Sequence, residues 1–151
     1  MAGDVLTSSA FSRSPHWPTV EKAHLVTQPN CVVCGKSHLV VPCNVHHRYP
    51  FHYVVALGRP DLELDHRNLH TICTEHDQQH HILVGHLDDY ESFNPELELW
   101  INLTHSLTAA QIRAMHRYQE AVLHRPKHLG LMTESEKLAF KSILDATFPK
   151  V

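Results

Sequence analysis

The chain has 151 residues, which is enough for one domain with a real hydrophobic core and a short appendage. Its 42% hydrophobic and 19% charged residues are typical of a soluble globular protein and argue against disorder. Without a membrane-length apolar run or a secretion signal, we expect a cytoplasmic protein with no membrane partner. The formal net charge of −3 argues against coating nucleic acid by charge alone, although a nuclease can contact phosphate through bound cations.

The first predicted elements are a flexible segment and a short helix. Residues 1–14 are serine-rich and expected to be frayed. The stretch 14–30 is typical of a helix with Pro18 in its first turn and Pro29 at its end. We expect its inward face to carry Val20, Ala23 and Leu25.

A cysteine-containing turn and a strand follow. Residues 31–35, CVVCG, predict a tight turn that contains a glycine. Residues 39–47, LVVPCNVHH, have strand composition, and Pro42 places the strand at an edge or a bulge. Cys43 shares a face with Val41 and Val45, so we expect it to be a buried free thiol.

Two amphipathic helices are predicted near the C-terminus. Residues 133–148 begin with a capping box and place four apolar residues inward, namely Leu138, Phe140, Ile143 and Leu144. Residues 107–125 carry a stripe at helical spacing, formed by Ile112, Met115, Tyr118 and Val122. Because an isolated helix of this length is marginal in water, the stripe should pack on the rest of the chain or on a second copy in a homodimer.

Histidine and cysteine are concentrated in one region. Ten of the 16 histidines lie between residues 38 and 86, and all four cysteines fall in or just before this stretch. In a reducing compartment this crowding indicates metal ligation rather than disulfides. Cys31 and Cys34, two residues apart on a turn, can clamp one side of a tetrahedral Zn²⁺, with Cys73 and a later histidine on the other.

The cysteine pair allows two other interpretations. A redox CxxC motif would need a flanking βαβ pattern, which is missing here. Cys31, Cys34, His47 and His52 formally fit the spacing of a C₂H₂ finger. The two histidines bracket Pro50, however, and proline inside a helix costs about 3 kcal/mol, so this spacing is a coincidence.

The doublet His46-His47 ends the predicted strand. Neighbouring side chains of a strand point to opposite faces, so one histidine can hold a metal while the other handles a water molecule. Isolated histidine pairs are commonly surface residues, but Asn68 and the histidines at 76–81 favour a site. Nearby arginines that can contact phosphate are Arg48, Arg59 and Arg67, although lone arginines are usually solvated.

The order of these motifs, CxxC, HHRYPFH, ELDHRNLHTIC and HHILVGHL, resembles the HNH endonuclease family in its ββα-metal form. The small bacterial and phage-type members are the most similar, and Trp17 and YESFNP at 90–95 belong to the resemblance, which covers residues 13–95. It implies an α+β fold: an HNH nuclease domain at 15–98 with a zinc knuckle, preceded by a short helix. The helices predicted from residue 104 onward lie outside the resemblance and form a helical extension at 99–151.

The resemblance also implies roles for individual residues. His47 would be the general base, and His46 and His81 would bind the catalytic cation. Asn68 would hold the loop and the backbone of His47 in place. The structural zinc ligands would be Cys31, Cys34 and Cys73.

The fourth zinc ligand departs from the family pattern, because His80 stands where a cysteine is usual. Two alignments with the family pattern are open. In the first, His80 is the fourth zinc ligand. In the second, His76 is the fourth zinc ligand, and Asp77 binds the catalytic cation together with His81. His52 and His86 recur in the pattern and are expected to contact substrate or metal. Five residues separate His81 from His86, which is poor spacing for one helix face, so simple packing remains open for His86.

The expected activity is hydrolysis of phosphodiester bonds, with double-stranded DNA as the expected partner. The cofactors would be a structural Zn²⁺ and one catalytic divalent cation, Mg²⁺, Mn²⁺, Ni²⁺ or Zn²⁺. Arg48, His52 and Arg67 would contact the substrate. The alternative is a catalytically inactive, zinc-stabilised module that binds nucleic acid or protein. Six further histidines are expected at the surface or on helix faces, at 16, 24, 105, 116, 124 and 128.

Overall fold

The computed structural model describes residues 7–150, which form an α+β fold in which α-helices surround one small antiparallel sheet. No helix in this part of the chain is long and apolar enough to cross a membrane. The regular elements, in chain order, are α1 Trp17–Thr27, β1 Cys43–His47, α2 Phe51–Ala56, β2 Leu69–Cys73, α3 Leu97–Thr104, α4 Ala109–Ala114, α5 His116–Leu123 and α6 Glu134–Thr147. Short 3-10 turns lie at Ser8–Ala10, Pro60–Glu63, His66–Asn68 and Leu129–Leu131, and a π-helical turn at His81–Gly85.

The sheet is a two-stranded pair that joins the two His-rich segments. β1 and β2 run antiparallel, with Cys43 opposite Cys73 and His47 opposite Leu69. The strand predicted over 39–47 begins only at Cys43, because residues 38–41 form a turn in which Val41 N–H donates to Ser37 O. Cys43 is a free thiol as expected, but it is only partly buried.

The described part of the N-terminal segment, residues 7–14, contacts the rest of the domain, although the sequence predicted a flexible segment over 1–14. Residues 1–6 lie outside the described part of the chain. From Ser8 onward the segment is held: the backbone N–H and hydroxyl of Ser8 donate to the Glu91 carboxylate at 2.8 and 2.7 Å. Further along, Ser14 N–H donates to Glu63 Oε2 at 2.9 Å. Carboxylates distant in sequence therefore fix a segment that has no hydrophobic pattern of its own.

Helix α1 lies within its predicted stretch, and two of its three predicted inward residues, Val20 and Leu25, pack against a cluster that contains Trp17. Pro18 lies in the first turn, and the helix ends at Thr27. The buried residues are Trp17 and His24, whereas Ala23 is exposed. His24 was expected on the surface; instead its Nδ1 lies 3.1 Å from Nδ1 of His66, which compensates part of the cost of burying the ring.

The segment 107–125 forms two helices rather than one. Met115 is extended (φ −68°, ψ 126°) and separates α4 from α5. Ile112 and Tyr118 are buried in the same core as Cys73, and the Tyr118 hydroxyl donates to Leu83 O at 2.7 Å. The apolar stripe is thus covered by the chain itself, which removes the reason for expecting a homodimer through this face.

Helix α6 has the predicted capping box of Thr133 and Glu136. Phe140 and Leu144 are buried, but Leu138 and Ile143 are 67% and 53% exposed, so only a narrow face is covered. The predicted domain boundary at 98/99 falls inside α3, and its Trp100 shares a core with Cys31 and Cys73. The helical extension is therefore part of the folding unit that carries the metal ligands.

Candidate functional site

A tight turn brings the first two cysteines together. Cys31 N–H donates to Lys36 O at 2.9 Å, and Gly35 N–H donates to Cys31 O at 2.8 Å. Gly35 has φ +77°, a left-handed conformation that glycine adopts without steric cost. The sequence CVVCG therefore folds as the predicted turn and presents two sulfurs to β2.

Four side chains close this cluster: Cys31, Cys34, Cys73 and His80. His80 Nδ1 lies 3.2 Å from Cys73 Sγ and 3.8 Å from Cys31 Sγ, and the sulfurs of Cys34 and Cys73 are 4.0 Å apart. Tetrahedral ligands bound at about 2.0–2.3 Å are separated by about 3.3–3.8 Å, which is close to these distances. The Cys₃His group can hold a metal ion, and its donor set is consistent with zinc.

The structure places His80, and neither His76 nor Asp77, beside the three cysteines. The side chains of His76 and Asp77 are 94% and 88% exposed, and they contact each other rather than either cluster. His80 is fully buried instead. The positive φ of Gln79 (48°) turns the chain inward just before His80, which the sequence spacing alone did not indicate.

A second group consists of His46, His81 and His86, with one ring nitrogen of each within 4.8 Å of the others. The ring centroids are 4.8–5.1 Å apart, and the rings are inclined at 68–82° to one another. Rings arranged in this way can direct lone pairs to a common point. Three imidazoles and an open fourth position are typical of a catalytic metal site.

The π-helical turn explains why His86 belongs to this group despite its spacing. In a turn with i→i+5 hydrogen bonding, residues five apart lie on the same side, so His81 and His86 converge. Gly85 is packed against the third ligand: a Cβ at this position would lie 3.0 Å from Cε1 of His46. The turn therefore supplies two ligands and the space for the ring of the third.

Hydrogen bonds orient two of the three rings. His86 Nδ1 donates to Ser92 O at 2.7 Å, which leaves Nε2 free as a ligand. Nδ1 of His81 lies 3.3 Å from the Asn44 amide. Both ring nitrogens of His46 are buried without a hydrogen-bond partner, and a bound metal ion would satisfy one of them. Desolvation holds the pKa of His46 well below its usual range and lowers that of His81 to about 3, so both are neutral.

His47 lies in different surroundings from His46. Its Nε2 donates to Glu63 O at 2.7 Å, and its ring packs on Trp17 with centroids 4.6 Å apart. This hydrogen bond fixes the tautomer, so Nδ1 remains an acceptor. Burial lowers the pKa of His47 to about 3, which keeps the ring in its proton-accepting form at neutral and mildly acidic pH.

Asn68 is fully buried and holds two backbone segments together. Its amide N–H groups donate to Tyr49 O and Leu62 O, both at 3.0 Å, and its Oδ1 accepts from Tyr49 N–H at 2.9 Å. These contacts flank His47 and the Glu63 carbonyl to which it donates. Asn68 thus occupies a positioning role for His47 through the backbone.

His47 and the three histidines of the second group line one cleft of about 340 Å³. His52 lines it, as expected, and both its ring nitrogens are buried without a hydrogen-bond partner. Arg48 and Arg67 do not line the cleft: Arg48 lies 3.6 Å from Glu98, and Arg67 pairs with Asp65. Arg59 is buried in ion pairs with Asp61 and Asp145 and is structural.

Two residues of the site were missed by the sequence reasoning. Asn44 lies two residues before His46, so strand alternation alone places it on the same face. Arg13 lines the cleft from the N-terminal segment, with Nη1 at 3.4 Å from His47 Nδ1. No pattern around Arg13 could have indicated this position.

Comparisons with protein-family models, curated proteins and solved structures found no match to this chain.

Proposed function

We propose that this protein is a metal-dependent endonuclease of the HNH class, in its ββα-metal form, and that duplex DNA is its substrate. The observation that carries the proposal is a histidine with one nitrogen fixed to a carbonyl, in the same cleft as a three-histidine metal group. An antiparallel strand pair followed by a helical turn with ligands supports the same class.

In the proposed reaction His47 Nδ1 accepts a proton from the attacking water. The water oxygen forms a bond to phosphorus while the bond from phosphorus to the 3′ oxygen breaks, and the leaving oxygen takes a proton from solvent. A divalent cation held by His46, His81 and His86 would polarise the phosphate and offset charge on the leaving oxygen. The Cys₃His group has no open position for substrate, so its role is structural.

Nicking of supercoiled plasmid in Mg²⁺, Mn²⁺, Ni²⁺ or Zn²⁺ tests the proposal. We expect cleavage with at least one of these ions and a loss of about 10²–10⁴-fold in His47→Ala, the usual contribution of a positioned base. His116→Ala is the matched control, because its side chain is 86% exposed on α5. DNA binding without cleavage in all four ions would instead favour a zinc-stabilised binding module.

A further inference from the structure

The N-terminal segment contributes Ser8 and Arg13 to the lining of the cleft, and Arg13 is the cationic one of the two. We infer that Arg13 is a substrate-binding residue whose guanidinium contacts the phosphate that is cleaved. This inference rests on the proposed nuclease function and assigns a residue that the sequence motifs do not include.

The distance to the base is the first argument. Arg13 Nη1 lies 3.4 Å from His47 Nδ1, the ring nitrogen that does not bond to Glu63 O. The oxygen of an attacking water must lie about 2.6–3.2 Å from that same nitrogen. The phosphorus that it attacks lies about 3–3.5 Å from the water oxygen. A guanidinium that reaches the nitrogen is therefore also within reach of an oxygen of the attacked phosphate.

The charge of the cleft is the second argument. Among the described residues that line it, Arg13 is the single lysine or arginine, and Glu21 adds negative charge. The chain as a whole carries a formal net charge of −3, so its surface gives no general attraction for a phosphate backbone. A planar guanidinium can donate two parallel hydrogen bonds to a phosphate, which fixes orientation as well as charge.

The third argument is that the guanidinium is already held in place. It lies over the Phe51 ring at 4.1 Å and over the Trp17 ring at 4.8 Å from the centroid. The chain is anchored on both sides of Arg13, by Ser8 at Glu91 and by Ser14 at Glu63. A donor fixed before substrate binds requires little reorganisation during the reaction.

The experiment compares Arg13→Met with Arg117→Met, an exposed arginine on α5 outside the cleft. In the otherwise wild-type chain, we expect Arg13→Met to lower kcat/KM for DNA cleavage by about 10²–10³-fold, the effect of removing one preorganised donor. Arg13→Lys should recover part of the loss, since it keeps the charge but not the two-pronged geometry. Arg117→Met should retain the wild-type value.

A binding measurement in the His47→Ala background separates phosphate contact from a purely structural role. With a labelled 20-base-pair duplex, we expect Arg13→Met to reduce the slope of log Kd against log salt by about 1, the signature of one lost phosphate contact. An unchanged slope and unchanged kcat/KM would overturn the inference, as would losses that occur only with a lower melting temperature and lower zinc content. If the wild-type chain neither binds nor cleaves nucleic acid, the nuclease proposal itself fails.

Discussion

The two metal-ligand groups differ in surroundings although they share one stretch of chain. The Cys₃His group is enclosed: Cys31 and Cys73 belong to a hydrophobic core with Ile72 and Leu83. All three residues of the His₃ group line the cleft. Three thiolates and one imidazole enclosed in a core are typical of a structural metal site, in which all four positions are taken. Three imidazoles on a cleft leave the fourth position for water or substrate.

The chain joins the two groups through a single peptide bond, because His80 belongs to the first and His81 to the second. The first group therefore determines where the π-helical turn begins, and the turn determines where His81 and His86 lie. We call the Cys₃His group the closed site and the group of His46, His81 and His86 the open site. The closed site should be needed both for the fold and for the geometry of the open site. The open site should be needed for activity alone.

The largest expected effect comes from breaking the closed site. Cys34→Ser should abolish zinc retention and cooperative thermal unfolding, because a structural zinc contributes about 10–16 kcal/mol of apparent binding free energy in small zinc domains. Circular dichroism melts and elemental analysis would check this. Cys43→Ser is the matched control, since Cys43 is free and lies outside both groups. A Cys34→Ser protein that melts like wild type would refute a structural role.

The next prediction distinguishes the roles of His46 and His47, which are neighbours on β1. His47→Ala should lower the cleavage rate by about 10²–10⁴-fold while metal affinity stays close to wild type. His46→Ala should weaken metal binding, so that part of the rate returns at high metal concentration. Cleavage rates against metal concentration, with calorimetric titration of the metal, would separate these behaviours. Identical metal dependence in both variants would contradict separate roles for His46 and His47.

The sequence predicted ligands wherever local geometry decides the position. The spacing of Cys31 and Cys34 with a following glycine fixes a turn, and strand alternation separates His46 from His47. It did not predict His86 firmly, because the argument assumed α-helical spacing and the chain forms a π-turn.

Tertiary contacts account for the remaining differences. The choice of His80 over His76 depends on a left-handed residue at Gln79, which sequence spacing does not reveal. Arg13 is brought to the cleft by Ser8 and Ser14, whose carboxylate partners are distant in sequence. The α+β class and the element order could be predicted, but the break at Met115 could not, since neither glycine nor proline marks it.

A smaller effect is expected from Gly85→Ala, which should disturb the open site without opening the closed one. The new Cβ would lie 3.0 Å from Cε1 and 3.2 Å from both ring nitrogens of His46, so the ring must shift. Displacement of a ligand ring should weaken metal binding by about 10–100-fold, as loss of ligand support does elsewhere. Zinc content at the cysteines should stay at one per chain. Loss of both metals together would show that the two sites are not separable.

The smallest effect concerns an ion pair remote from both groups and provides the control for the four preceding variants, Cys34→Ser, His46→Ala, His47→Ala and Gly85→Ala. Asp145 on α6 accepts a hydrogen bond from buried Arg59 at 2.9 Å, and Lys141 pairs with it at the surface. Asp145→Asn removes the charge and keeps the shape, so the melting temperature should fall slightly. Zinc content, metal affinity and cleavage should not change. A loss of metal in Asp145→Asn would mean that general destabilisation of the fold is enough to release metal from both groups of ligands.

The pH dependence of the fall in melting temperature in Asp145→Asn shows which interaction causes it. Lys141 and Arg59 hold the pKa of the Asp145 carboxyl below its ordinary value, so the folded state favours the ionised form. A lowered folded-state pKa contributes stability that is fully present above the unfolded-state pKa of about 3.9 and is lost as the pH falls through the folded-state value. The difference in melting temperature between wild type and Asp145→Asn should therefore stay constant from pH 7.5 to about pH 5. A difference that changes within that range, where imidazoles titrate, would show that the substitution acts through a histidine rather than through the Arg59 ion pair.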